Sequence, residues 1–124
     1  MYETFAMLKS EGAFSIEELE RLARDVASSG GAEVSRSGPV LRMTAGEACL
    51  EIRENSDSYV PEECHEIADQ LSLPCREFRT RYEIAGKDPD MELFNDYLLL
   101  AERLQKTGQF VVFDCNRGKL LFDD

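Results

Sequence analysis

The chain has no tryptophan and a single histidine, His65. One imidazole is too little for a histidine-rich metal centre, and His65 with its helical neighbour Asp69 supplies too few ligands for a defined site. The cysteines Cys49, Cys64, Cys75 and Cys115 are scattered, and no two stand in a Cys-x-x-Cys pair. That spacing offers neither a zinc site nor a disulfide framework, so the thiols read as reduced and the compartment as cytoplasmic. From sequence alone a Cys64–Cys75 bridge stays open as the lesser alternative. The glycines are dispersed and mark turns, so no loop cradles a phosphate. Ser37-Gly38 lies in Ser-Arg-Ser-Gly-Pro, which is not a nucleophile elbow. No stretch approaches the roughly 18 apolar residues of a membrane span. Met1 to Ser10 lacks a basic region followed by an apolar run, so no signal peptide is expected. Positive charge is also scarce, with 14 basic residues against 25 acidic ones. Nucleic-acid phosphates and anionic membranes would repel such a surface, which disfavours both as partners.

What remains is a globular composition. At 124 residues and 43% hydrophobic content, the chain is long enough for one core and too apolar for disorder, so residues 1–124 read as one domain. Its formal net charge is −11. A compact, strongly acidic and chemically quiet domain is more often a binding surface than a catalyst. Solubility alone is the competing reading of the same charge.

The hydrophobic pattern predicts an α+β domain in the order β-α-β-β-β-α-β-α-β-β, with a mainly antiparallel sheet and about three helices packed on one face. Thr4 to Leu8 reads as a strand. Ser15 and Glu18 form a capping box, and Leu19, Leu22, Ala23 and Val26 make one helical face that Gly30 and Gly31 close. Ala32 to Arg36 and Val40 to Thr44 flank a Ser-Gly turn, and Ala48 to Arg53 alternates like a half-buried strand. A second helix is predicted from about Pro61 to Leu71 on the stripe Cys64, Ile67, Ala68 and Leu71. Phe78, Thr80, Tyr82 and Ile84 alternate with Arg79, Arg81, Glu83 and Ala85. The outer face of that strand is the one locally basic place in the sequence. The third helix is placed from an Asp88-Pro89 start to about Lys106, followed by a central strand at Phe110 to Phe113 and a closing one at Lys119 to Phe122.

Several residue groups are candidates for chemistry. Asp88, Asp90 and Glu92 open like a calcium loop, but Leu93 stands where that loop needs glycine, and helix capping explains the acids instead. Cys75, beside Pro74 and Arg76, is the most exposed thiol by pattern, with no histidine near it in sequence except His65. A small-ligand site would need a pocket lined by Tyr82, Arg79, Arg81 or His65. The acidic surface is the stronger candidate. Glu62, Glu63, Glu66 and Asp69 project from the second helix, and Glu92 and Asp96 from the third. Leu99 shares that polar side as an apolar anchor in a charged rim. No metal or cofactor is expected.

In size, charge and α+β layout the whole chain resembles the small acidic bacterial immunity proteins that neutralise polymorphic toxins. The stretch from Asp88-Pro89-Asp90-Met91 through Phe94-Asn95-Asp96-Tyr97 to Phe110-Val111-Val112-Phe113-Asp114 also looks like a block shared among uncharacterised bacterial proteins. The resemblance implies a non-enzymatic inhibitor that binds a basic toxin or enzyme, and it carries over no site residue. The alternative is a self-associating structural or regulatory interaction domain, with a homodimer as its simplest form.

Overall fold

The computed structural model describes residues 2–28 and 31–122. Gly30, one of the two glycines expected to close the first helix, lies outside the described residues. The elements follow the predicted order. They are β1 (Tyr2–Lys9), α1 (Ile16–Ala27), β2 (Glu33–Ser37), β3 (Val40–Ala45), β4 (Ala48–Asn55), α2 (Val60–Gln70), β5 (Phe78–Lys87), α3 (Phe94–Lys106), β6 (Phe110–Asp114) and β7 (Lys119–Leu120). All seven strands join one antiparallel sheet in the order β2-β3-β4-β5-β1-β6-β7.

The helices do not share one face of that sheet, contrary to the sequence expectation. α1 and α3 cover one side over Ala6, Leu8, Leu41, Met43, Leu50, Ile52, Tyr82, Ile84, Phe110 and Val112. α2 packs Val60, Cys64 and Ala68 on the other side against Met7 and Phe78. The reason lies in β1 and β6. Successive side chains of a strand point to opposite faces, and these two strands carry unbroken apolar runs, Phe5 to Leu8 and Phe110 to Phe113. Ala6 and Leu8 face α1 and α3 while Phe5 and Met7 face α2, and Phe110 and Val112 alternate with Val111 and Phe113 in the same way. A strand apolar on both faces needs cover on both.

β5 breaks its own alternation. The register slips where Leu8 pairs with Thr80 and Lys9 with Phe78, so two steps on β5 oppose one on β1. This bulge turns Phe78 to the α2 side while Tyr82 and Ile84 stay on the other. Gly86 lies opposite Leu50 on β4. A side chain there would run into the backbone of Cys49 and Leu50, so close strand approach fixes this glycine.

α1 begins as its sequence dictates. Glu18 N–H donates to Ser15 Oγ at 3.1 Å, and Ser15 N–H donates to Glu18 Oε1 at 3.1 Å. α3 begins later than expected. Asp88 does not start the helix but builds the turn before it, accepting from the N–H groups of Glu92 at 2.6 Å and Leu93 at 2.8 Å and from the Tyr2 hydroxyl at 2.7 Å. Met91 then sits at φ +56°, which no helix through residues 88–93 could include. Partial burial works against the Asp88 charge, but those donors outweigh it and hold the carboxyl below its usual range. The closing strand is also shorter than predicted and stops at Leu120.

Candidate interaction surface

α2 is amphipathic by arithmetic. Val60, Cys64 and Ala68 recur at four-residue spacing and are buried. The opposite side carries Glu62, His65, Glu66 and Asp69, all exposed. Tyr59 precedes the helix and keeps 48% of its surface exposed, so one of the chain's largest apolar side chains stands in solvent. With 3.6 residues per turn, Tyr59, Glu62 and Glu66 fall along one stripe.

The stripe rests on a buried cation. Arg81 projects from β5 under α2 and is only 3% exposed. Its Nη1 donates to Glu63 Oε1 at 2.5 Å and its Nε to Glu83 Oε2 at 2.8 Å. The guanidinium lies 3.7 Å from the centre of the Phe5 ring and 5.9 Å from that of Tyr59. Burial disfavours the charge, and the bonds to Glu63 and Glu83 overcome that, so the group is held more firmly protonated than a free arginine. Asn55 Nδ2 donates to both the Tyr59 hydroxyl and Glu83, each at 2.9 Å, which ties the exposed ring to the same network.

The predicted surface residues divide accordingly. Glu62 and Glu66 stand exposed with no ion pair among the described residues. Glu63 is half-buried and committed to Arg81. Asp69 is exposed but bridged to Arg76. Glu92 is exposed in the turn before α3. Asp96, expected on the surface, is only 8% exposed, and burial alone raises its pKa. Leu99, expected as an exposed anchor, is partly buried and packs against the core. Asp96 and Leu99 are thus covered while Asn95 and Lys106 of the same flank stay exposed, and the Arg103–Asp25 ion pair joins α3 to α1. Since α2 and α3 lie on opposite faces of the sheet, their acids do not form one surface. Tyr59 falls just before the predicted start of the second helix at Pro61, where no periodic pattern marks it.

The remaining candidates resolve into structural roles. His65 Nδ1–H donates to the Arg76 carbonyl at 2.8 Å, which ties the α2–β5 connection to the helix. Among the described residues no three His, Cys, Asp or Glu side chains group as a metal site would require. The four cysteines are all free thiols, so the Cys64–Cys75 bridge is not formed. Burial pushes the Cys64 thiol up to about 11 and the Cys115 thiol up to about 12, far from a reactive thiolate at neutral pH. Arg81 lies under α2, Tyr82 in the core beneath α1 and His65 on the outer side of α2, so these three line no common pocket. The basic face expected on β5 does not form, because Arg81 is buried under α2 between Glu63 and Glu83 while Arg79 lines a separate cleft with Phe14 and Glu18. No helix among the described residues is long and apolar enough to cross a membrane.

Comparison with known proteins leaves the chain by itself: no protein-family model, no curated protein and no solved structure matches it.

Proposed function

We propose that this domain is a non-enzymatic inhibitor of the immunity type, and that it docks a basic toxin or enzyme on the exposed side of α2. The observation that carries the reading is how charge is distributed around that helix. Every arginine except Arg21 and Arg79 makes an ion pair among the described residues. The cations are therefore largely spent inside the fold, and Glu62 and Glu66 keep their charge uncompensated beside the exposed Tyr59 ring. An aromatic anchor rimmed by charge of one sign suits a hot spot reached by electrostatic steering. Steering of this kind raises association rates at low salt and fades as the Debye length shrinks to about 10 Å at 0.1 M salt.

The test is capture from the source cell's lysate at low salt, elution with salt and identification of the eluted proteins, followed by association kinetics with the captured species. We expect one basic protein, an association rate that falls steeply with salt, and a loss of about tenfold in that rate for the Glu62→Lys, Glu66→Lys double variant. Recovery of the bait alone, or kinetics indifferent to both salt and charge reversal, would remove the inhibitor reading. The exposed edge strand β2 favours the second reading, a self-associating interaction domain. Light scattering separates the two, because a stable dimer formed through β2 would appear without any partner.

A further inference from the structure

Away from α2, at the end of the sheet where α1 starts, the fold leaves an open cleft of about 540 Å³. Its lining includes Phe14 and Ser15 from the entry to α1, Glu18 from the first turn, Glu54 from the end of β4, and Arg79 and Thr80 from β5. Glu54 lies next to Tyr82 in register and is exposed, its Oε1 accepting from Ser56 Oγ at 2.9 Å. Thr80 is buried beneath the cleft, and its hydroxyl donates to the Asn55 carbonyl at 2.7 Å. Arg79 reaches the cleft from beside the β5 bulge, with Nη1 donating to the Gly12 carbonyl at 2.9 Å.

The informative feature is a pairing that does not occur. In a chain this acidic, arginine is scarce and nearly always closed onto a carboxylate. Arg79 lines the same cleft as Glu18 and Glu54 and forms an ion pair with neither. Residues of opposite charge thus line one open cleft without closing onto each other. Glu18 is fixed by the capping box, and Arg79 by the Gly12 carbonyl. A cleft that offers both charges unpaired suits a molecule that carries an anionic and a cationic group together. Guanidinium matches a carboxylate through planar paired donors, and two carboxylates match an ammonium group. The Phe14 ring offers an apolar wall to a side chain.

We infer that this cleft binds a free α-amino acid as its zwitterion, with the ligand carboxylate on Arg79 and the ligand ammonium on Glu54 and Glu18. The inference is independent of the α2 surface and of any protein partner. It is tested by calorimetric titration of the intact protein with each of the twenty L-amino acids, and with N-acetylated and carboxamide forms of any that bind. Binding by one or a few free amino acids, lost by about tenfold or more when either end is capped, is the expected result. Arg79→Gln and Glu54→Gln should each reduce affinity by a similar factor. Both side chains are exposed, so these variants fold, and circular dichroism verifies it. Absence of binding by all twenty overturns the inference. So does equal binding of the capped forms, or unchanged affinity in both variants.

Discussion

The two faces of the sheet are built by different means. Under α1 and α3 the cover is continuous and apolar from β3 through β6, with Leu19, Leu93, Leu100 and Leu104 fully buried against the strands. Under α2 the apolar patch is small, and a charged side chain completes it. Val60, Cys64 and Ala68 meet Met7 and Phe78, and beside them Arg81 joins the sheet to the helix through Glu63 and Glu83. Beyond α2 the same face carries the exposed or half-exposed row of Arg42, Glu51 and Arg53, which needs no cover. One face is held by area removed from water, whereas the other adds a directional ionic fastening to a short helix. Area-based stability tolerates small shifts, but an ionic fastening depends on each partner being present.

The contrast can be broken most severely on the apolar side. Leu100→Ala empties a fully buried site and should cost about 3 kcal/mol in denaturant unfolding. Its exchange-protection loss should spread through α1, α3 and the central strands together. On the other face, Arg81→Met should cost less, about 2 kcal/mol, because Glu63 and Glu83 are partly exposed and can regain water. Here hydrogen exchange should rise in α2 first while α1 and α3 stay protected. A uniform rise across all three helices would show that α2 is not separately fastened.

The smallest effect sharpens the comparison by charge. Asp96 is a buried acid on the apolar side with its pKa raised by burial alone. Its folded-state pKa exceeds its unfolded value, so the folded form binds the proton more tightly. The stability this group contributes is therefore present at pH values below the ordinary aspartate pKa of about 3.9, and is lost as pH rises through the raised value. Asp96→Asn should accordingly stabilise the protein at pH 7 by about 1 kcal/mol, and the gain should shrink towards zero in acid. A variant that is less stable than the parent at pH 7 would mean the carboxylate is needed there.

Much of the fold was legible from local signals. Capping at Ser15, the Ser37-Gly38 turn and the alternation in β4 each depend on neighbours in sequence, and they placed elements in the right order. What failed depended on distant residues. The two-sided pattern of β1 and β6 was visible as apolar runs, but which helix covers which side is a property of the assembled sheet. The α3 boundary was lost because Asp88 spends its carboxylate on a turn, a choice fixed by Tyr2 from β1. For the site, periodicity correctly assigned Glu62 and Glu66 to an outer face. It misassigned Asp96 and Leu99, since a helical wheel does not show what the assembled fold packs against each position. Arg81 read as part of a basic surface because strand alternation gives the face a residue points to, not what lies across from it.

The strand order has a further consequence, for the route by which the molecule forms. β1 lies between β5 and β6, pairing Tyr2 with Gly86 and Leu8 with Phe110. Neither neighbour exists until most of the chain has been made, whereas β2, β3 and β4 form a meander of adjacent hairpins that can close by themselves. Contacts between segments so far apart in sequence cost loop-closure entropy before they return any energy, which makes folding slower than in a helical bundle of the same size. During that wait β1 is a strand apolar on both sides over Phe5 to Leu8 with no partner, a segment of the nascent chain that needs protection from other chains.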